Sequence, residues 1–298
     1  MPGVDAVYGE VMERTWSKSM TVGVVLLVGC GGGTANDAGC PPSPYRSTPP
    51  QVIAHGGGEG LGPSNTVLAM QRSMAAGADV LDADLWMTSD GVIVARHDRD
   101  LATSTDGAGN IDQSTWAELQ RLDTRVSWTG DPIAEPVRIS SLEQILTAFP
   151  DTRISLELKQ TSPSMAVPLC RLLEKTRSFD RIYLSANDDS AVYAAQAECP
   201  KSTVITTTYT DVAAMRAAKE AGSPWCAPAP IGQPPFGEGR FAPADVQWSH
   251  DHGMAIYTWT VDDAETLRSL AAAGVDGVYT RRPDVARRIF DEFAAASS

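Results

Sequence analysis

From residue 51 onward, short runs of β-branched and apolar residues alternate with alanine-rich runs of helical periodicity. Two of the helical runs are NTVLAMQRSMAAGA, from residue 65, and DDAETLRSLAAAG, from residue 262; the second ends in the glycine typical of a helix C-terminus. The strand runs are QVIAHG (51), DVLDADLW (79), VIVARHD (92), TRISLELK (152), RIYLSA (181), STVITTT (202), PWCAPAP (224), AIYTWT (255) and VDGVYT (275). This alternation favours a parallel sheet with helical crossovers.

The second and third strand runs are joined by the five residues MTSDG alone. A parallel crossover needs about a dozen residues or more, so this pair is predicted to be an antiparallel hairpin that turns at Ser89-Asp90-Gly91. Eight parallel strands then remain, and that number favours an α/β fold of the single (β/α)8 TIM-barrel type. The hairpin and a small insertion, residues 101–136, follow the second barrel strand. A turn centred on Ser89-Asp90 would place Asp82 opposite His97.

Polar and charged residues interrupt the apolar strands where the strands end. In a TIM barrel these ends carry the chemistry. Three carboxylates close together would repel one another unless a positive group binds them, and carboxylate oxygens suit a hard cation, Ca2+ or Mg2+. The two histidines suit acid and base roles near neutral pH. The residues concerned are His55, Asp82, Asp84, His97, Glu157 and Lys159.

The charge of the chain limits its partners. The formal net charge is -13 over 298 residues, which argues against a nonspecific nucleic-acid binder, because such proteins carry a basic surface. The same charge would repel an anionic small molecule on average, and a bound cation would remove that difficulty locally.

The N-terminal region is predicted to be a leader. Residues 1–30 combine basic residues with the apolar run MTVGVVLLVGC, which is too short to span a bilayer and is typical of a secretory signal. Its ending resembles a bacterial lipobox, in which Cys30 receives lipid. We therefore expect an exported protein anchored by Cys30 to the extracytoplasmic face of the membrane, with residues 31–50 as a disordered linker and residues 51–298 as the barrel.

Four cysteines follow Cys30, and outside the cytosol they could form disulfides. They allow three connectivities, between which the sequence does not choose. The four are Cys40, Cys170, Cys199 and Cys226.

The ordered motifs of the chain resemble those of the glycerophosphodiester phosphodiesterase family. The resemblance extends from about His55 to Pro283, nearly the whole of the predicted barrel. It rests on His55-Gly56-Gly57, Pro63-Ser64-Asn65-Thr66, Asp82-Ala83-Asp84, His97-Asp98, Glu157-Leu158-Lys159, Trp259-Thr260-Val261 and the segment GVDGVYTRRPD.

The resemblance implies a TIM barrel that hydrolyses a small phosphodiester to an alcohol and a phosphomonoester. It implies a divalent cation held by Asp82, Asp84 and Glu157, and an acid/base pair formed by His55 and His97. Lys159 and Trp259 would contact the substrate. Asn65 is assigned to substrate binding as well, with capping of the first helix as the alternative.

Four positions depart from the family pattern: Gly56 replaces Arg, Ser64 replaces Glu, Asp82 replaces Glu and Arg281 replaces Asp. The first change removes a bidentate phosphate clamp whose geometry a lysine cannot reproduce. Arg96, Arg125 and Arg281 are the possible substitutes. Two alternatives to the phosphodiesterase therefore stay open: a lipoprotein barrel that binds a phosphorylated ligand without turnover, and a lyase that forms a cyclic phosphate.

Overall fold

The computed structural model describes residues 43–186, 188–200, 203–204, 216, 231–233 and 242–296. All of them fall within one unit, residues 39–298. The predicted leader, most of the predicted linker and the strand run at residue 224 lie outside the described residues. So does nearly all of DVAAMRAAKEAG, a run from Asp211 whose sequence also predicts a helix.

Among the described residues, eight strands run parallel in the barrel sheet. They are β1 (Gln51–Ala54), β2 (Val80–Met87), β5 (Arg153–Leu158), β6 (Ile182–Ala186), β7 (Thr203–Val204), β8 (Ile231–Gln233), β9 (Ile256–Thr258) and β10 (Gly277–Thr280). Their order in the sheet is β7-β6-β5-β2-β1-β10-β9-β8. This confirms the predicted fold class. Seven of these strands coincide with predicted strand runs, whereas β8 was not predicted and the predicted run at residue 224 lies outside the described residues.

The remaining two strands extend the sheet beside β2. β3 (Ile93–Ala95) pairs antiparallel with β2, as predicted, and β4 (Ser140–Ser141) pairs antiparallel with β3. Between them lies the predicted insertion, which consists of 3-10 turns and one short helix, α2 (Trp116–Leu119).

Helices follow most of the parallel strands. They are α1 (Val67–Ala75), α3 (Leu142–Ala148), α4 (Ala166–Thr176), α5 (Asp189–Glu198), α6 (Pro243–Asp251), α7 (Ala264–Ala273) and α8 (Pro283–Ala296). Several begin at polar residues that cap them: Thr66, Ser141 and Asp263 accept hydrogen bonds from the backbone of the first turns of α1, α3 and α7. No helix in the described segments is long and apolar enough to cross a membrane.

The barrel interior contains a layer of aromatic side chains. Tyr183 and Tyr257 pack there with Ile53 and Val80, and Tyr45 and Tyr279 pack against this cluster. Because strand side chains alternate with period two, Asp82 and Asp84 face the same interior as Val80. The polar groups of β2 therefore follow directly on a packed aromatic layer, which limits how far they can move.

Part of the predicted linker packs on the barrel. Ser43 N–H donates to the Gly253 carbonyl over 2.9 Å, and Ser47 N–H donates to Asp276 Oδ1 over 3.1 Å. The Tyr45 ring meets that of Tyr183 edge to face, with centroids 6.1 Å apart. Contacts with the barrel therefore begin before residue 51, the boundary that the sequence predicted.

A disulfide joins Cys170 of α4 to Cys199, directly after α5. It selects one of the three connectivities that the sequence left open. Cys40 and Cys226, the other two cysteines of that set, lie outside the described residues.

Candidate active site

The loop after β1 brings His55 to the mouth of the barrel and turns the chain sharply. Gly56, Gly57 and Gly58 all have positive φ, and Asn65 N–H donates to the Gly56 carbonyl over 2.7 Å. A Cβ at Gly56, where φ is 54°, would lie 3.1 Å from Ser64 Oγ. The absence of the family's arginine is thus matched by a loop that suits glycine, because residues with side chains are strained at that φ.

Asp82 joins β2 to this loop. Its Oδ2 accepts a hydrogen bond from Gly56 N–H over 3.1 Å and lies 3.3 Å from His55 Nδ1. Burial opposes a charge on His55, but the contact with Asp82 and the charges of Asp82, Asp84 and Glu59 outweigh it and raise the pKa of His55 to about 9. His55 is therefore held as a cation beside a carboxylate.

Asp84 and Glu157 lie side by side because β2 and β5 pair in parallel with these two residues in register. Lys159 Nζ lies between them, 3.1 Å from Asp84 Oδ1 and 2.8 Å from Glu157 Oε1. Burial, together with the charges of Asp84 and Asp82, raises the pKa of Glu157 although Lys159 opposes the shift. One ammonium therefore does not fully balance the carboxylates of this face.

The donor chemistry of the three predicted ligands, Asp82, Asp84 and Glu157, fits a hard divalent cation, since all are carboxylates. The raised pKa of Glu157 fits as well: burial is its main cause, and a second positive charge would relieve the added repulsion from Asp84 and Asp82. In the described part of the chain, however, no three His, Cys, Asp or Glu side chains are grouped so that they could hold a metal ion. Lys159 contacts two of the three ligands instead.

The hairpin register differs by one residue from the prediction, so the expected pairing of Asp82 with His97 is wrong. Leu85 pairs with Ala95, and Arg96 N–H donates to the Asp84 carbonyl over 2.9 Å. The physical reason is a longer turn, closed by a hydrogen bond from Thr88 N–H to the Val92 carbonyl and containing Gly91 at φ 85°. One extra turn residue moves every side chain of β3 to the opposite face.

His97 comes near the site after the chain has left β3. Its side chain is 59% exposed, and its Nδ1 lies 3.1 Å from Asp98 Oδ1. Burial opposes ionisation of Asp84, but Lys159, the hydrogen bond from Asn65 and the neighbouring histidines outweigh it and lower the pKa of that carboxyl. Both predicted histidines therefore turn Nδ1 toward a carboxylate.

Arg96, one of the three possible substitutes for the missing arginine, is buried in the wall of the site. Its guanidinium donates to the Ser64 and Ser104 carbonyls, each over 3.0 Å, and its Nε has no hydrogen-bond partner among the described residues. Burial lowers the pKa of Arg96 to about 10. The other two candidates are engaged by neighbouring carboxylates, Arg125 by Asp123 and Arg281 by Asp262.

A cavity of about 480 Å³ opens beside His97. Trp128, from the insertion, forms part of its wall and is held there by a hydrogen bond from its Nε1 to the Asp131 carbonyl over 2.8 Å. Trp259, the predicted substrate contact, is half-buried and does not line this cavity. No sequence motif marked Trp128, because the insertion lacks periodicity. The lining also includes Glu59, Ser64, Arg96, Asp98, Asp262, Arg281 and Arg282.

A (β/α)8 barrel with histidines, carboxylates and a lysine at the C-terminal ends of its strands defines a barrel of the enzyme type. The sequence matches the glycerophosphoryl diester phosphodiesterase family over residues 55–285, and the chain therefore belongs to that family. This confirms the predicted resemblance.

Individual relatives agree with the family. An uncharacterized protein of Mycobacterium tuberculosis is 36% identical over 61% of this chain and 62% of its own length, so the chain spans less than two thirds of that relative. A glycerophosphodiester phosphodiesterase of Bacillus subtilis is 26% identical over 80% of this chain and 85% of its own length. Among solved structures, an Oleispira antarctica phosphodiesterase in complex with the product sn-glycerol-3-phosphate has a TM-score of 0.66 and 21% identity, covering 81% of this chain and 97% of that one.

Proposed function

We propose that the protein is a metal-dependent phosphodiesterase that hydrolyses glycerophosphodiesters, or lysophospholipid-like diesters, to an alcohol and a phosphomonoester. The observation that carries the proposal is the set of groups at the mouth of the barrel. Two buried aspartates on β2 lie beside a lysine and a histidine, and Glu157 on β5 is in register with one of them. The family of the chain supports the reaction class, and so does the phosphomonoester product bound to the Oleispira antarctica relative.

In this proposal Asp82, Asp84 and Glu157 would hold a divalent cation, Ca2+ or Mg2+, which would supply positive charge against the phosphoryl oxygens. Lys159 then contributes its charge to the phosphate, which requires that the ammonium exchange one of its present carboxylate contacts for a phosphoryl oxygen. The net charge of -13 makes this local concentration of positive charge necessary for an anionic substrate.

His55 and His97 form the acid/base pair of the proposal. Each turns Nδ1 toward a carboxylate, of Asp82 and Asp98 respectively, so that Nε2 is the atom left for proton transfer. One imidazole accepts the proton of the nucleophile, and the other donates a proton to the leaving alcohol. The cavity beside His97, with Trp128 in its wall, would hold the part of the substrate that lies beyond the phosphate.

Hydrolysis by the purified protein tests this function. The panel is glycerophosphocholine, glycerophosphoethanolamine, lysophosphatidylcholine and bis-p-nitrophenyl phosphate, each with Ca2+, with Mg2+ and with EDTA. We expect cation-dependent release of alcohol, and a loss of about 10²- to 10⁴-fold in turnover for His97→Ala. The matched control is His252→Ala, because the His252 ring stacks on Trp248 outside the cavity lining.

The alternative, a barrel that binds a phosphorylated ligand without turnover, rests on the missing arginine. Gly56 offers no side chain where the family has an arginine. Arg96 is buried, and its guanidinium donates to two carbonyls. Cation binding without hydrolysis of any panel member would favour this alternative. Turnover that is indifferent to EDTA would instead contradict the metal assignment.

We also propose that the protein is exported and anchored by lipid on Cys30. The disulfide between Cys170 and Cys199 supports an oxidising compartment, since cytosolic thiols are kept reduced. We expect the native protein to partition into the detergent phase on extraction and a Cys30→Ser variant to stay in the aqueous phase. Equal partitioning of the two would contradict the anchor.

A further inference from the structure

Asn65 adopts a backbone conformation that few residues with side chains adopt. Its φ is 60°, and within the described part of the chain Arg177 is the other non-glycine residue with positive φ. The left-handed region is sterically costly for L-residues, and asparagine tolerates it better than most. Asn65 is also completely buried. A strained, buried polar residue beside a predicted site calls for a structural or functional reason.

The side chain of Asn65 is bonded to Asp84 at two points. Asn65 Nδ2 donates to Asp84 Oδ2 over 2.8 Å, and Asn65 Oδ1 accepts from Asp84 N–H over 2.9 Å. The orientation of the amide is fixed by chemistry, because a carboxylate only accepts and a backbone N–H only donates. Nδ2 also donates to Ser64 Oγ over 3.0 Å.

The structure gives Asn65 a role that the sequence did not offer. Its amide is fully buried and engaged at both ends, with Asp84 as the main partner. The alternative role of Asn65 as the cap of α1 is wrong, because that cap is Thr66, whose side chain accepts from Ala69 N–H over 3.2 Å. The predicted contact of Asn65 with substrate stays a prediction.

We infer that Asn65 is a positioning residue that fixes the rotation of the Asp84 carboxylate and keeps Oδ1 turned toward the positive charge of the site. Oδ2 is held by Asn65, and Oδ1 lies 3.1 Å from Lys159 Nζ. The inference rests on the proposed function, in which Asp84 is a cation ligand.

Two substitutions separate the side chain of Asn65 from its backbone conformation. Asn65→Gly keeps the left-handed φ without strain and removes both hydrogen bonds to Asp84. Asn65→Asp keeps the shape but replaces the donor by a carboxylate oxygen. Thr66→Ala is the matched control, because it loosens the same loop and the start of α1 without touching Asp84.

The primary measurement is titration calorimetry of the EDTA-treated full chain with Ca2+ and with Mg2+, accompanied by urea unfolding and by kcat and KM for the best diester. We expect Asn65→Gly and Asn65→Asp to weaken cation affinity about 10- to 100-fold, as loss of a ligand's supporting partner does elsewhere. Their kcat should fall at cation concentrations that saturate the wild type. Thr66→Ala should lower the urea midpoint and leave cation affinity within about twofold.

The outcomes are distinguishable. If the wild type binds cation and a folded Asn65→Gly variant binds it equally well, the positioning role alone is overturned. If Asn65→Gly does not fold, Asn65→Asp is judged by the same criterion. A wild type that binds neither cation and hydrolyses no diester overturns the proposed function and this inference together. Weakened affinity in both Asn65 variants, with Thr66→Ala unaffected, supports the inference.

Discussion

Lys159 is the residue whose replacement tests most directly how the carboxylates of the site are balanced. Its side chain is 11% exposed, and it contacts Asp84, whose side chain is 2% exposed, and Glu157, whose side chain is 19% exposed. Lys159→Met preserves the aliphatic stem and removes the ammonium. The carboxylates of Asp84 and Glu157 would then be adjacent without a cation between them, and we expect the free energy of unfolding to fall.

The magnitude follows from the burial of the pair. Removing one partner of a buried ion pair costs about 3–5 kcal/mol, because the other charge is left uncompensated. Glu157 retains some access to water, so we expect the lower end, about 3 kcal/mol. For a domain of this size each kcal/mol corresponds to about 2–4 °C, which gives a decrease of roughly 6–12 °C in Tm.

The assay is urea and thermal unfolding in EDTA, with Lys175→Met as the control. Lys175 pairs with Glu143 at 2.5 Å, but their side chains are 65% and 50% exposed, so its loss should cost less than about 1 kcal/mol. Added Ca2+ or Mg2+ should stabilise Lys159→Met more than the wild type, because the cation replaces the missing charge. Equal and small effects of the two lysine substitutions would refute the reasoning.

Three further predictions concern the disulfide, an acid-sensitive loop and the cavity wall. Breaking the Cys170–Cys199 bond, which closes a loop with a sequence separation of 29, should lower the free energy of unfolding by about 3–4 kcal/mol, as measured by urea unfolding of a double serine variant. Asp123 has its pKa lowered to about 2, chiefly by the hydrogen bond from Arg125. The stability that ionised Asp123 contributes is therefore present above its unfolded pKa of about 3.8 and is lost as pH falls toward 2. The Tm difference between wild type and Asp123→Asn should shrink over that interval. A constant difference would contradict the assignment. Trp128→Ala should raise KM for the diester with little change in kcat, because Trp128 lies in the cavity wall and away from the carboxylates. An unchanged KM would show that Trp128 does not contact the substrate.

The hairpin shows where prediction from the sequence stops. The five-residue connection was enough to predict an antiparallel pair, because no parallel crossover is that short. The register could not be obtained in the same way, because Ser89, Asp90 and Gly91 are compatible with turns of different length. The longer turn places Arg96 beside Asp84, and His97 reaches the site only after the strand has ended.

The sequence by itself determined the architecture and the chemical groups of the site. Periodicity and the length of a connection are local properties, so most of the parallel strands, the hairpin and the charged residues at the strand ends could be predicted from short segments. The ordered motifs likewise indicated the family.

The tertiary structure alone decided which of these groups meet. The bond of Asn65 to Asp84 joins residues 19 positions apart, that of Arg96 to Ser64 joins residues 32 apart, and the disulfide joins residues 29 apart. The roles of Asn65 and Arg96 follow from burial and from hydrogen-bond geometry, which arise only when separate segments pack together. A pattern of residue types along the chain specifies which side chains face the barrel interior, but the partner of each polar atom is set by distances that only the folded chain defines.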